Sequence, residues 1–153
     1  MLDLQTYLDN AVKAKRAESL AKSDQLTLGE IIAKIEPIAA GAESFKKDCG
    51  YEPIVMFDFG NLHPSGIDSW RGIYAELALN YTEEGNAPTV TEFLTSLKEA
   101  VGKTYTGYKG GEFTMSRHTP VWVANYGNSG NTAVIEIINN GYVVIIITGY
   151  RET

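Results

Sequence analysis

The sequence predicts an α+β fold, with helices early and mid-chain packed on a largely antiparallel sheet. Three observations carry that prediction. Thr27-Leu28-Gly29-Glu30 and Thr89-Val90-Thr91-Glu92 each place a hydroxyl three residues ahead of a carboxylate, the signature that opens a helix. Beyond Gly102 the helical period gives way to short runs of β-branched and aromatic residues separated by turns. Near the end, two apolar runs flank Asn139-Asn140-Gly141, a strong hairpin signal.

Composition sets the outer bounds. At 153 residues, 44% hydrophobic and 21% charged, the chain has the size and make-up of one globular domain with its own core. A formal net charge of -6 argues against general binding to a nucleic-acid polymer, which draws on many phosphate contacts. A small anion held by a few local cations is compatible with it. The single cysteine, Cys49, rules out an internal disulfide and a cysteine metal cluster, and fits a reducing cytoplasm. The N-terminus has no apolar core of signal-peptide length, and no run approaches the roughly 18 apolar residues of a membrane span. The expectation is a cytoplasmic protein with no membrane partner.

Residues 2 to 22 read as a helix with a thin apolar stripe of Leu2, Leu4, Leu8 and Val12. Residues 1–25 are therefore expected to stand apart from the 26–153 domain, and to serve self-association into a homo-oligomer. Leu28, Ile31, Ile32 and Ile35 mark the buried face of a second helix, which Pro37 is expected to end. Residues 38 to 52 then form a connection. Pro53 to Phe59 is a short buried strand, with Asp58 at its end placed to cap the following loop. Gly60 to Gly66 is dense in turn formers and reads as that loop. Gly72 to Leu79 is expected to be the next strand. Val90, Phe93, Leu94, Leu97 and Val101 define one face of the mid-chain helix, stopped by Gly102. Strands are then expected at Thr104–Tyr108, Glu112–Met115, Val121–Tyr126, Ala133–Ile138 and Tyr142–Thr148, the last one central because it is apolar on both faces.

The candidate site is the stretch Gly102–Thr119. It holds four glycines, three aromatics and three basic residues in an otherwise acidic chain. Glycines allow close backbone approach, aromatic faces stack, and Lys or Arg attract anions. Tyr105, Thr106, Tyr108, Lys109, Gly110 and Gly111 are the candidate contacts, with Phe113 and Arg117 beside them. Its expected companion is Asp68-Ser69-Trp70-Arg71-Gly72, followed by Tyr74. There Arg71 offers a planar fork to a phosphate, or a structural ion pair to Asp58, Asp68 or Glu76. Trp70 is either a stacking platform or core packing. Lys109-Gly110-Gly111 also reads as a plain hairpin turn, since Gly107-x-x-Gly110-Gly111 has neither the P-loop nor the dinucleotide spacing.

Catalytic sets are sparse. His63 and His118 lie far apart in sequence, outside any metal-ligand spacing, so no metal or cofactor is expected. Cys49 lacks a nearby general base. His63-Pro64-Ser65 matches half of a two-histidine phosphodiesterase signature, but His118-Thr119-Pro120 has proline where the second hydroxyl belongs.

The segments FDFGNLHPSGIDSWRGIYAELAL, GKTYTGYKGGEFTM and TPVWVANYGNSGNTAV resemble small uncharacterised proteins encoded by tailed bacteriophages, over roughly residues 26–151. Several phage proteins of this size sequester the nucleotide second messengers of bacterial immunity. By analogy, the resemblance implies a non-catalytic sponge for a nucleotide-like ligand in the infected cell's cytoplasm. Two alternatives stand beside it: a protein that inhibits a host enzyme through its surface, and a nucleotide phosphodiesterase or hydrolase using His63 or Asp58.

Overall fold

In a computed structural model, the structure describes residues 25–71, 73–107, 110–124 and 131–151; the expected N-terminal helix lies outside them. Helix α1 spans Leu28–Cys49. Its start follows the sequence signal: the Thr27 hydroxyl accepts the Glu30 N–H at 3.2 Å, and the Glu30 carboxylate accepts the Thr27 N–H at 3.0 Å. Leu28, Ile31, Ile32 and Ile35 are fully buried.

The expected stop at Pro37 is corrected, because the helix runs straight through it. Proline costs the hydrogen bond to the carbonyl four residues back, here Ala33. Both Ala33 and Pro37 are exposed, so water can solvate that carbonyl. Most of the expected connection over 38–52 is therefore helix. It ends at Gly50, whose φ of 84° suits glycine and whose N–H bonds the Lys46 carbonyl at 2.7 Å.

The strands are β1 Ile54–Phe57, β2 His63–Ser69, β3 Leu77–Thr82, β4 Thr104–Thr106, β5 Glu112–Thr114, β6 Val121–Val123, β7 Thr132–Asn139 and β8 Val143–Tyr150. Helix α2, Val90–Ala100, lies between β3 and β4. A six-stranded sheet has the order β1-β8-β7-β6-β3-β2, and β4 with β5 forms a separate hairpin. Pairings β2–β3, β6–β7 and β7–β8 are antiparallel, whereas β1–β8 and β3–β6 are parallel. The β7–β8 hairpin turns at Gly141 with φ 95°, and β8 is an interior strand.

Two boundaries differ most from the sequence expectation. Strand β2 begins at His63, inside the stretch read as a loop. Its Pro64 is tolerated because β2 is the sheet's outermost strand, and a bulge follows between Pro64 and Gly66. Strand β3 starts only at Leu77; Ile73 to Glu76 form a turn closed by Glu76 N–H to Ile73 O at 2.9 Å and Trp70 N–H to Glu76 O at 2.7 Å. Strand propensity in Ile73 and Tyr74 yields to that turn.

The end strands β1 and β2 are joined directly. Gly60 and Asn61 both have positive φ, 61° and 53°, and Leu62 N–H bonds Phe59 O at 3.2 Å. The sheet thus curls until its two ends meet at this tight turn. Asp58 fixes the same corner: its carboxylate accepts the Thr148 N–H at 3.0 Å and the Thr148 hydroxyl at 2.7 Å. The loop-capping expectation becomes a strand-to-strand tie.

Side chains alternate between two faces. Val55, Leu77, Leu79, Val121, Val123, Val134, Val144 and Ile146 pack with α1 and α2 in the main core. Ala78, Trp122, Ala133, Ile135 and Ile147 belong to a second cluster with Trp70. Leu26 wedges between β6 and β7, taking the Val121 N–H and donating to Val134 O. The next residues dock on the 116–120 turn, Leu28 N–H to Thr119 O and Gly29 N–H to Arg117 O, each at 2.8 Å.

Candidate functional site

The hairpin grows out of the end of α2. Gly102, with φ 80°, donates to Met115 O at 2.8 Å, and Met115 N–H bonds Lys103 O at 2.9 Å. Thr104, Tyr105 and Thr106 then pair with Thr114, Phe113 and Glu112. The turn is closed by Gly107 N–H to Gly111 O at 2.7 Å and Gly110 N–H to Gly107 O at 2.9 Å.

The structure brings the hairpin and its expected companion together. Tyr74, from the turn between β2 and β3, stacks on Phe113 with ring centroids 6.3 Å apart. Gly107 lies beneath both rings: a Cβ there would sit 3.0 Å from Tyr74 Cγ and 3.1 Å from Phe113 Cε2. A side chain at this position would push the two segments apart. Tyr105 is buried, with the Lys103 ammonium 5.1 Å from its ring centroid. Burial first, and then the negative charge of Asp68, raises its pKa above the usual value of 10.0. The β4–β5 hairpin packs beside β2, which bears Asp68.

The predicted site residues separate into two groups. Arg71, Thr106, Gly110 and Gly111 are exposed, and Tyr74 is half-buried. Among the described residues, Arg71 forms no ion pair with Asp58, Asp68 or Glu76, so the salt-bridge reading is not what the structure shows. Ser69, Trp70 and Tyr105 are committed to the scaffold. The Ser69 hydroxyl donates to Tyr74 O and holds the turn. Tyr108 and Lys109 lie outside the described residues.

Trp70 as a stacking platform is corrected. It is 1% exposed and lies parallel to Trp122, centroids 3.9 Å apart at 7°, so no accessible face remains for a base. Trp122 in turn donates its Nε1–H to Glu76 at 2.7 Å. Among the described residues, the buried Trp70 Nε1 has no hydrogen-bond partner. Sequence reasoning missed this pair because the partner lies 52 positions away (122 minus 70), on a different strand. It also passed over Gly107 as a spacer between rings, although Tyr105-Thr106-Gly107-Tyr108 was there to read.

Of the residues considered for catalysis, Asp58 is engaged and His63 is buried. Both Asp58 carboxylate oxygens hold Thr148, and His63 is buried in β2 at 6% exposure, while His118 is exposed on the 116–120 turn. Among the described residues, no group of three or more His, Cys, Asp or Glu is placed to hold a metal ion. No described helix is long and apolar enough to cross a membrane. No known protein family, curated protein or solved structure matches the chain.

Proposed function

We propose that this protein binds a small anionic, nucleotide-like ligand without turning it over, at the junction of the β4–β5 hairpin and the Ser69–Glu76 turn. The observation that carries the reading is the clamp of Tyr74 against Phe113 over Gly107. It holds the segment bearing Arg71, an exposed guanidinium outside any ion pair among the described residues, against a glycine-rich turn. A guanidinium presents two parallel donors to a phosphate, and an aromatic ring offers a face to a base. Arg71 takes the phosphate, Tyr74 the base, and Thr106 with the Gly110-Gly111 turn supplies hydroxyl or backbone contacts. Tyr108 and Lys109 are further contacts on sequence grounds. Ser69, Trp70 and Tyr105 form the scaffold beneath. The phage resemblance extends the proposal to sequestration of an immune second messenger in an infected bacterial cell.

Calorimetry against cyclic mono-, di- and trinucleotides tests this, with recovery of the ligand after denaturation to show that it is chemically intact. Arg71→Lys keeps the charge but loses the fork, and should weaken binding roughly tenfold, the worth of about 1.5 kcal/mol. Its melting temperature should not change, because Arg71 supports no packed contact. Absence of heat with every nucleotide, or recovery of a hydrolysed product, overturns the proposal.

A second reading, inhibition of a host enzyme by surface contact, is favoured by a different feature. Tyr51 and Tyr142 are 47% and 56% exposed, with ring centroids 6.0 Å apart, and Ile54 is also exposed. Aromatic residues of this kind anchor protein interfaces. Homo-oligomerisation through residues 1–22 belongs to the same proposal. Light scattering of the chain with and without them decides it, and an unchanged mass removes that segment from the interface.

A further inference from the structure

Strand β2 ends the sheet, and the hydrogen bonds of Gly66–Ser69 to β3 use only one of its two edges. Among the described residues, no backbone group of His63–Ser69 bonds beyond that ladder, so the opposite edge is unpaired, with the β4–β5 hairpin beside its last residues. Pro64 and the bulge blunt its first half, the usual protection of an end strand, but Gly66-Ile67-Asp68-Ser69 keep a regular register with Asn80, Leu79, Ala78 and Leu77. Beside this edge runs α2. Between them lies a cleft of about 210 Å³, formed by Ser65, Gly66 and Ile67 on the strand and Glu92, Phe93 and Ser96 on the helix.

We propose that this cleft is a peptide-binding groove, in which an extended segment of another protein adds a strand to β2 and buries a Lys or Arg side chain against α2. The two halves of the groove meet the two needs of strand addition. The open backbone edge supplies main-chain hydrogen bonds, and the adjacent cleft takes every second side chain. Its chemistry selects the residue. Phe93 and Ile67 provide apolar surface for a long aliphatic stem, Ser65 and Ser96 provide hydroxyls, and Glu92 provides the one charge among the described lining residues. Glu92 uses one oxygen, Oε1, to accept the Thr89 N–H, and a carboxylate has a second to offer a cation. Asp68 is exposed on the same strand. A second copy of this chain is the poorer occupant. Pairing two β2 edges would crowd the Asp68 and Glu92 carboxylates of both copies into one narrow groove, and like charges opposed across strands destabilise the pair.

The test uses three fluorescein-labelled octapeptides, acetylated and amidated, read by anisotropy. The first alternates Val and Lys, the second alternates Val and Glu, and the third is the Val/Lys peptide N-methylated on alternate residues to abolish one edge of its ladder. The Val/Lys peptide should bind saturably and slow amide hydrogen exchange at Gly66–Ser69. N-methylation should weaken it roughly tenfold or more, and the Val/Glu peptide should not bind. Ser96→Phe, on an exposed helix position, fills the cleft and should abolish binding with folding intact. Glu92→Gln keeps the helix cap and should weaken binding several-fold. Arg71→Ala should leave peptide binding unchanged, which separates this groove from the nucleotide proposal. Non-saturable binding, equal affinity of the N-methylated peptide, or exchange protection away from β2 overturns the inference. So does a dimer that protects Gly66–Ser69 in the absence of peptide.

Discussion

Two glycines in one helix should answer the same substitution with opposite signs. In a helix interior, replacing Gly by Ala ordinarily stabilises by roughly 0.5–1 kcal/mol. Gly41 meets that rule: it is exposed in α1, and a Cβ there would have nothing within 4 Å. Gly29 does not. A Cβ on Gly29 would lie 2.9 Å from both the Cβ and the carbonyl oxygen of Arg117, and 3.4 Å from its Cα. The obstacle is mainly backbone, so the helix start or the 116–120 turn must move. That movement strains the Gly29 N–H to Arg117 O bond and its neighbour from Leu28 to Thr119. Overpacking costs about 1–3 kcal/mol and a weakened hydrogen bond about 1 kcal/mol. Set against a propensity gain of about 1 kcal/mol, Gly29→Ala should be destabilising by roughly 1–3 kcal/mol. For a chain of this length that lowers the melting temperature by roughly 2–12 °C, while Gly41→Ala raises it by about 1–4 °C. Calorimetric melts of both variants and the double mutant are sufficient, and the two effects should add because the sites are well separated. If Gly29→Ala stabilises as much as Gly41→Ala, α1 does not dock on the turn as described.

Three other outcomes follow from the same structure. Pro37→Ala restores a missing helical hydrogen bond at an exposed position and should stabilise by about 1–3 kcal/mol in urea unfolding; a loss of stability would mean that the proline ring itself is needed for packing. Asp58→Ala and Thr148→Val, measured singly and together, should show a coupling energy of roughly 1–3 kcal/mol, and additivity would deny the tie between β1 and β8. Tyr105 has its folded pKa raised, mainly by burial and then by Asp68, so it should titrate above the free phenol in ultraviolet absorbance. Because the folded state keeps the proton longer, its stabilising contribution is complete below about pH 10 and falls as pH rises through the folded pKa. Asp68→Asn should bring that titration part of the way down, and an unmoved curve would separate Asp68 from the hairpin.

The parts of the fold legible in the sequence were those whose cause is local. The capping boxes at Thr27–Glu30 and Thr89–Glu92 need only four residues each, and both are present. The Gly141 hairpin needs only a residue tolerant of positive φ, and it is where expected. Pro37 misled because its cost depends on exposure: a freed carbonyl is tolerable in water, and Ala33 and Pro37 lie off the buried face that Leu28, Ile31, Ile32 and Ile35 mark. Gly50, preceded by Lys46 and Lys47, was the better stop signal and stood in plain view. The start of β2 was obscured because turn-forming residues are acceptable on an outermost strand, and position in the sheet is a tertiary fact. Asp68–Gly72 was the expected companion of the Gly-rich hairpin, and the ring contact observed there is made by Tyr74, two positions beyond that segment. The division of labour within that pairing was not legible. Whether an aromatic faces solvent or another ring depends on a partner far along the chain, as Trp70 and Trp122 show.

The pairing of β1 with β8 has a consequence for how the chain comes to be folded. Ile54 through Phe57 align in parallel with Val143 through Ile146, so within the sheet β1 has only the final strand as its neighbour. A ribosome emitting this chain releases α1, the β2–β3 hairpin and α2 long before β8 exists. Those pieces can form locally, but the sheet stays open at β1 until β8 has emerged. Contacts of such long sequence separation carry a large loop-closure cost and slow folding. Until β8 emerges, β1 is exposed to degradation and mispairing, and a message truncated before Val143 leaves β1 without its strand partner and β7 unpaired on its β8 side.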